Sequence, residues 1–90
     1  MQLLNIGFGN LINTQRVLAA LSPDSQPVKR MAQEAKAGGV LIDATHGRKT
    51  RTVLMIDSGH VVLSYLQTET IAARLGGEAN LSKEDIHAQE

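Results

Sequence analysis

Arg48, Lys49 and Arg51 stand within four residues of one another, with Gly47 before them and Thr50 among them. Cations this close can neutralise neighbouring phosphates, the glycine lets the backbone come near a partner, and the threonine offers a hydroxyl. Guanidinium groups add planar, two-pronged hydrogen bonding suited to phosphates, guanine edges and narrow minor grooves. A short basic window is also what an ordinary solvated loop presents, so its meaning depends on what joins or repeats it. Arg16 is the residue that could join it. With one Phe, one Tyr and no Trp in the chain, the base stacking that holds single strands is poorly supplied, and duplex DNA is the better match.

Other reactive side chains assemble less well. His46, His60 and His87, with Asp43 and Asp57, are the candidates for general-base or metal chemistry, yet none forms an i, i+4 helical pair or an H-x-H spacing. An enzyme would have to use His46 and Asp43. His46 lies beside the basic loop, and when protonated it could donate to a phosphate. Ser58 sits in Asp57-Ser58-Gly59, outside a Gly-x-Ser-x-Gly elbow, so a hydrolase reading lacks its strained turn and its base. Gly7-Phe8-Gly9-Asn10 lacks both the third glycine of a dinucleotide fingerprint and the Gly-Lys-Ser/Thr end of a nucleotide loop. It reads as a tight bend with Asn10 as a turn residue. The absence of Cys excludes disulfides, thiolate nucleophiles and cysteine zinc sites. No cofactor or metal is implied, and the chain reads as a non-enzyme.

The elements that must position these residues follow from local pattern. Leu3 to Gly9 reads as a strand closed by the glycine bend, and Arg16 to Leu21 as a second strand ending at Ser22-Pro23-Asp24. A helix of about three turns fits between Ser25 and Gly38-Gly39: Asp24 or Ser25 can cap it, and Pro27 is tolerated in its first turn. Its apolar residues Val28, Met31, Ala32 and Ala35 recur at helical spacing. Val40 to Thr45 and Thr52 to Ile56 read as strands flanking the basic loop, and Asp57-Ser58-Gly59-His60 turns into Val61 to Leu66 as a hairpin. Thr68 can cap a short second helix that ends at Gly76-Gly77. The whole is α+β: a small, mainly antiparallel sheet with one three-turn helix and a short second one. Val53-Leu54-Met55-Ile56 and Val61-Val62-Leu63 are apolar on both faces, so both faces need cover. Either the second helix supplies the other cover or a neighbouring subunit does, and the small size of the domain favours a homo-oligomer built on the hairpin.

Ninety residues allow one domain. Up to Leu75 there are eight basic residues against five acidic, a balance of +3 that the remaining residues cancel on paper only. Residues 1–77 are therefore the expected domain and 78–90 an acidic, flexible tail with at most a short helix begun at Ser82. No stretch is long and apolar enough for a membrane span and no leader pattern opens the chain, so the expected location is the cytoplasm, at the nucleoid.

Several segments agree in order and spacing with one family. Asn5-Ile6-Gly7-Phe8-Gly9-Asn10, Ser22-Pro23-Asp24-Ser25 with Pro27-Val28-Lys29-Arg30, Leu41 through Arg51, and Asp57-Ser58-Gly59-His60-Val61-Val62-Leu63-Ser64 closely resemble the RemA family of bacterial extracellular-matrix regulatory proteins. The resemblance spans residues 3–75. It implies a non-enzymatic, double-stranded DNA-binding activator of biofilm-matrix and osmoprotection genes, built as ring-shaped homo-oligomers with DNA along the outside. The family's DNA-contacting arginines carry over to Arg16 and Arg48. Its next arginine is Lys49 here, and Arg51 matches the basic residue two further on. Lysine keeps the charge but loses the planar fork, so a phosphate contact survives at position 49 and a bidentate base contact does not. His46 stands where the family often has Tyr, and Gln67-Thr68-Glu69 replaces a proline-containing start to the second helix. The other reading is a protein–protein interaction module whose basic loop is merely solvated.

Overall fold

The computed structural model describes residues 2–76, so the expected acidic tail lies outside the described residues. Strands β1 (Leu3–Asn5) and β2 (Leu11–Asn13) form an antiparallel hairpin that pairs Leu4 with Ile12. A 3-10 turn, Thr14–Arg16, leads into β3 (Val17–Leu21), followed by α1 (Gln26–Ala37), β4 (Leu41–Asp43), β5 (Thr52–Ile56), β6 (Val61–Ser64) and α2 (Thr68–Gly76). The second sheet has the order β3-β5-β6-β4, with β3–β5 and β5–β6 antiparallel and β4–β6 parallel. The α+β class and the mainly antiparallel pairing match the sequence pattern, but the described residues form two sheets rather than one.

Helix α1 begins where Ser25 Oγ accepts from the Val28 amide at 3.3 Å, and it leaves through Gly39 at φ +78°. The β5–β6 turn closes through Ile56 and His60, with Gly59 at φ +93°. Thr68 does not cap α2. Its hydroxyl lies 3.0 Å from that of Thr52, whose own hydroxyl donates to the Leu66 carbonyl at 2.8 Å, so the pair pins the start of the helix to the start of β5.

The doubly apolar strands are covered inside one chain. On one face Leu54 and Val62 pack with Leu4, Ile6, Ala44 and Ile71, which come from the β1–β2 hairpin, the end of β4 and α2. On the other face Val53 and Val61 pack with Ala35, Val28 and Met31 of α1. Val53, Leu54, Val61 and Val62 are each no more than 5% exposed. Contrary to expectation, these strands need no neighbouring subunit as cover: the β1–β2 hairpin and α2 supply it, and of that hairpin only β1 falls within the expected Leu3-to-Gly9 strand, β2 lying between it and Arg16. Two three-residue strands joined by a glycine turn are too short for alternation to show.

Candidate nucleic-acid interface

Two turns of the same kind face each other at one end of the sheet. In Gly7-Phe8-Gly9-Asn10 the Asn10 amide donates to the Gly7 carbonyl at 3.0 Å, and the central pair has φ of +56° (Phe8) and +76° (Gly9). In Thr45-His46-Gly47-Arg48 the Arg48 amide donates to the Thr45 carbonyl at 3.0 Å, and the central pair has φ of +56° (His46) and +83° (Gly47). Two successive positive φ values are the pattern of type I′ turns. A bulky residue in the left-handed region costs roughly 1–2 kcal/mol, which Phe8 and His46 each accept.

Side-chain and backbone hydrogen bonds fix both turns to the framework. Ser64, fully buried in β6, donates to the Ile6 carbonyl at 2.8 Å, while Asn5 Oδ1 receives the Gly7 amide and Asn10 Nδ2 donates to the Gly7 carbonyl. Gly7 has φ +115°, and a Cβ there would clash with the edge of the Tyr65 ring. On the second turn Asp43 Oδ1 accepts from the Thr45 amide at 2.9 Å and the Thr45 hydroxyl at 2.6 Å. These bonds stabilise the carboxylate and lower the Asp43 pKa below its ordinary 3.8, the side-chain bond contributing most. Asp43 thus anchors the turn that carries Arg48.

The rings on these turns meet. Phe8 stacks on His46 with centroids 4.7 Å apart and lies 4.8 Å from Tyr65, and the Arg48 guanidinium carbon sits 5.9 Å from the Phe8 centroid. That is the outer range of a cation–π contact. The sequence reading gave Phe8 no role. No local pattern could have found the cluster, because positions 8, 46 and 65 converge only once the turns are folded.

The four basic candidates do not share one place. Arg48, Lys49 and Arg51 are exposed on the loop leading to β5, where the Arg51 amide donates to the Ser64 carbonyl. Lys49 and Arg51 line a shallow cleft that Asp24 and Glu69 also line. Arg16 lies at the other end of β5, where its carbonyl accepts from the Asp57 amide at 2.9 Å and its Nε donates to both Asp57 carboxylate oxygens at 2.8 Å. Arg51 and Asp57 flank the five residues of β5, six steps of extended chain or about 20 Å apart. One protomer therefore presents two basic positions rather than a single patch.

The remaining polar candidates fall apart or turn inward. His46 and Asp43 are committed to the ring stack and to Thr45. Ser58 Oγ lies 2.7 Å from His60 Nδ1, a partner the sequence reading did not offer it, within an exposed hairpin turn. Among the described residues no group of three or more His, Asp or Glu side chains is placed to hold a metal ion. Among the same residues no helix is long and apolar enough to cross a membrane.

Comparison with known proteins supplies the lineage. Residues 3–75 match the family described as RemA-like, extracellular matrix regulatory protein A-like. The chain belongs to the RemA-like family. It is 60% identical over 77 residues to a protein of Dictyoglomus turgidum named "Putative regulatory protein", covering 86% of this chain and 91% of that one. It is 54% identical over 84 residues to similarly named proteins of Bacillus cytotoxicus and Bacillus cereus, covering 93% of this chain and 97% of each relative. The names of these relatives support a regulatory role. The RemA-like match contains both turns, the ring cluster and all four basic residues, and it stops short of the acidic segment.

Proposed function

We propose that this RemA-like chain is a non-enzymatic transcriptional regulator of extracellular-matrix (biofilm) genes that binds double-stranded DNA sequence-selectively as a ring-like homo-oligomer. Arg16, Arg48, Lys49 and Arg51 contact the duplex, Arg16 and Arg51 chiefly at phosphates and Arg48 toward a groove. It acts in the cytoplasm, at the nucleoid. The observation that carries this reading is the Thr45–Arg48 turn: Asp43 and Gly47 hold it in a fixed shape, and it opens the segment that carries the exposed cationic side chains of Arg48, Lys49 and Arg51. Among the described residues none of those three forms an ion pair.

Association has a different physical basis from the one the hairpin suggested. The strand order leaves β3 and β4 at opposite edges of the sheet, each with an exposed apolar residue, Leu18 at 66% and Ile42 at 47%. Ile42 lines a groove with Ile12, Ile56 and Val62. Joining unlike edges head to tail generates rings when the rotation closes. A ring repeats both basic positions at fixed spacing, which raises avidity for a duplex when the spacing matches.

A gel-shift series on genomic and random duplex fragments, run beside light scattering, tests this reading. The expected result is an oligomer that retards DNA and favours some genomic fragments. A monomer that retards none contradicts it and favours the interaction module, with Leu18 and Ile42 as its exposed contacts.

A further inference from the structure

We infer that Phe8 is a DNA-contacting wedge: its ring, braced by His46 and Tyr65, enters the minor groove beside Arg48 and partly unstacks a base step. This inference rests on the duplex-binding reading above and adds a contact that the basic residues do not supply.

Three observations point to it. The first is that the only Phe of the chain is not spent on the core, although the core is short of large side chains. Phe8 is 44% exposed, whereas Leu4 and Ile6 on the same hairpin are buried. The second is that the ring is held stiffly. His46 at 4.7 Å and Tyr65 at 4.8 Å brace it, and the left-handed backbone at Phe8 lies between two glycines and is closed by Asn10. A glycine or asparagine at position 8 would relieve the backbone and remove an exposed apolar group, so Phe8 carries two costs against the packing it gains from His46 and Tyr65. The third is its neighbour: the Arg48 guanidinium carbon is 5.9 Å from the ring centroid.

An apolar side chain next to a groove-seeking cation is the combination by which minor-groove proteins kink DNA, the cation following the negative potential of the groove and the apolar group prising a base step apart. A flat stack on an unpaired base is less well served, because two rings already lie within 5 Å of Phe8. A wedge needs a rim and a rigid mount, and both are present. Because prising apart depends on the step, the wedge favours flexible pyrimidine–purine steps such as TA over stiff ones.

The test uses the full-length protein, and Phe8→Ala and Phe8→Leu variants checked for fold by circular dichroism. The DNA is duplex carrying donor and acceptor dyes at its ends and 2-aminopurine at a central TA step or at a control step without pyrimidine–purine flexibility. The wild type is expected to shorten the end-to-end distance, to raise 2-aminopurine fluorescence, and to prefer the TA duplex roughly ten-fold, since one badly accommodated step typically costs that much. Phe8→Ala should lose the bend and the preference while keeping the wild-type salt dependence, and Phe8→Leu should keep part of both. Wild-type protein that binds without changing 2-aminopurine fluorescence overturns the wedge alone. So does a folded Phe8→Ala that bends and discriminates as the wild type does with a change only in salt dependence, which would make Phe8 a positioning residue for Arg48. Wild-type protein that binds neither duplex, whether or not it captures another protein, overturns the duplex reading as well.

Discussion

Arg16 and Asp57 hold each other twice: the Asp57 amide donates to the Arg16 carbonyl at 2.9 Å, and Arg16 Nε donates to both carboxylate oxygens at 2.8 Å. Their side chains are 57% and 38% exposed, so the ion pair adds little to stability. Its effect is on availability. The Nε donor is occupied and a negative charge stands beside a residue assigned to phosphate, while the two terminal nitrogens keep their donors.

Asp57→Asn should therefore separate stability from binding. Thermal unfolding should show a loss below about 1 kcal/mol, since the backbone bond survives and exposed pairs are weak. Affinity for duplex DNA, measured by fluorescence anisotropy at moderate salt, should rise on the order of five-fold, because a repelling charge is removed and a guanidinium released. Unchanged affinity would place Arg16 away from the DNA.

Gly7→Ala should be costly although only one methyl is added. The residue needs positive φ, and the methyl would overlap the Tyr65 ring. Left-handed strain and forced repacking together should remove roughly 2–4 kcal/mol of stability in denaturant unfolding. A loss under about 0.5 kcal/mol would show that the two turns and Tyr65 are not packed as described.

The contrast between Gly7 and α1 shows what the sequence made legible. Helical spacing of Val28, Met31 and Ala35, a serine cap and two glycines are local signals, and helix, hairpin turn and basic loop all follow from them. The short β1–β2 hairpin and the meeting of Phe8, His46 and Tyr65 depend on tertiary contacts across tens of residues, which no window of sequence contains. Arg16 was recognisable as a candidate by type and by family resemblance. Its pairing with Asp57, and its place at the far end of β5, follow only from strand register.

Acid should loosen the Arg48 turn before it melts the core. The Asp43 carboxyl titrates below 3.8 because the charged form accepts two bonds from Thr45. A depressed folded pKa means that this contribution is fully present above the unfolded value and is lost as pH falls through the folded one. Amide exchange at Thr45 to Arg48 should accelerate as pH drops below about 4 relative to reference peptides. Asp43→Ala should already show that acceleration at neutral pH, with about 1 kcal/mol less stability. Equal protection in both proteins at neutral pH would show that Asp43 does not hold the turn.

The central claim is that the loop cations are what DNA sees. Its most direct test is the salt dependence of duplex binding by wild type and Arg48→Ala, measured by anisotropy with oligomer size monitored throughout. Three phosphate contacts per engaged protomer, from Arg16, Lys49 and Arg51, predict a log–log slope of about −3 for each, and Arg48→Ala should weaken binding strongly while leaving that slope nearly unchanged, with oligomer size and fold unchanged. Binding that is indifferent to salt, or equally tight without Arg48, would contradict the account.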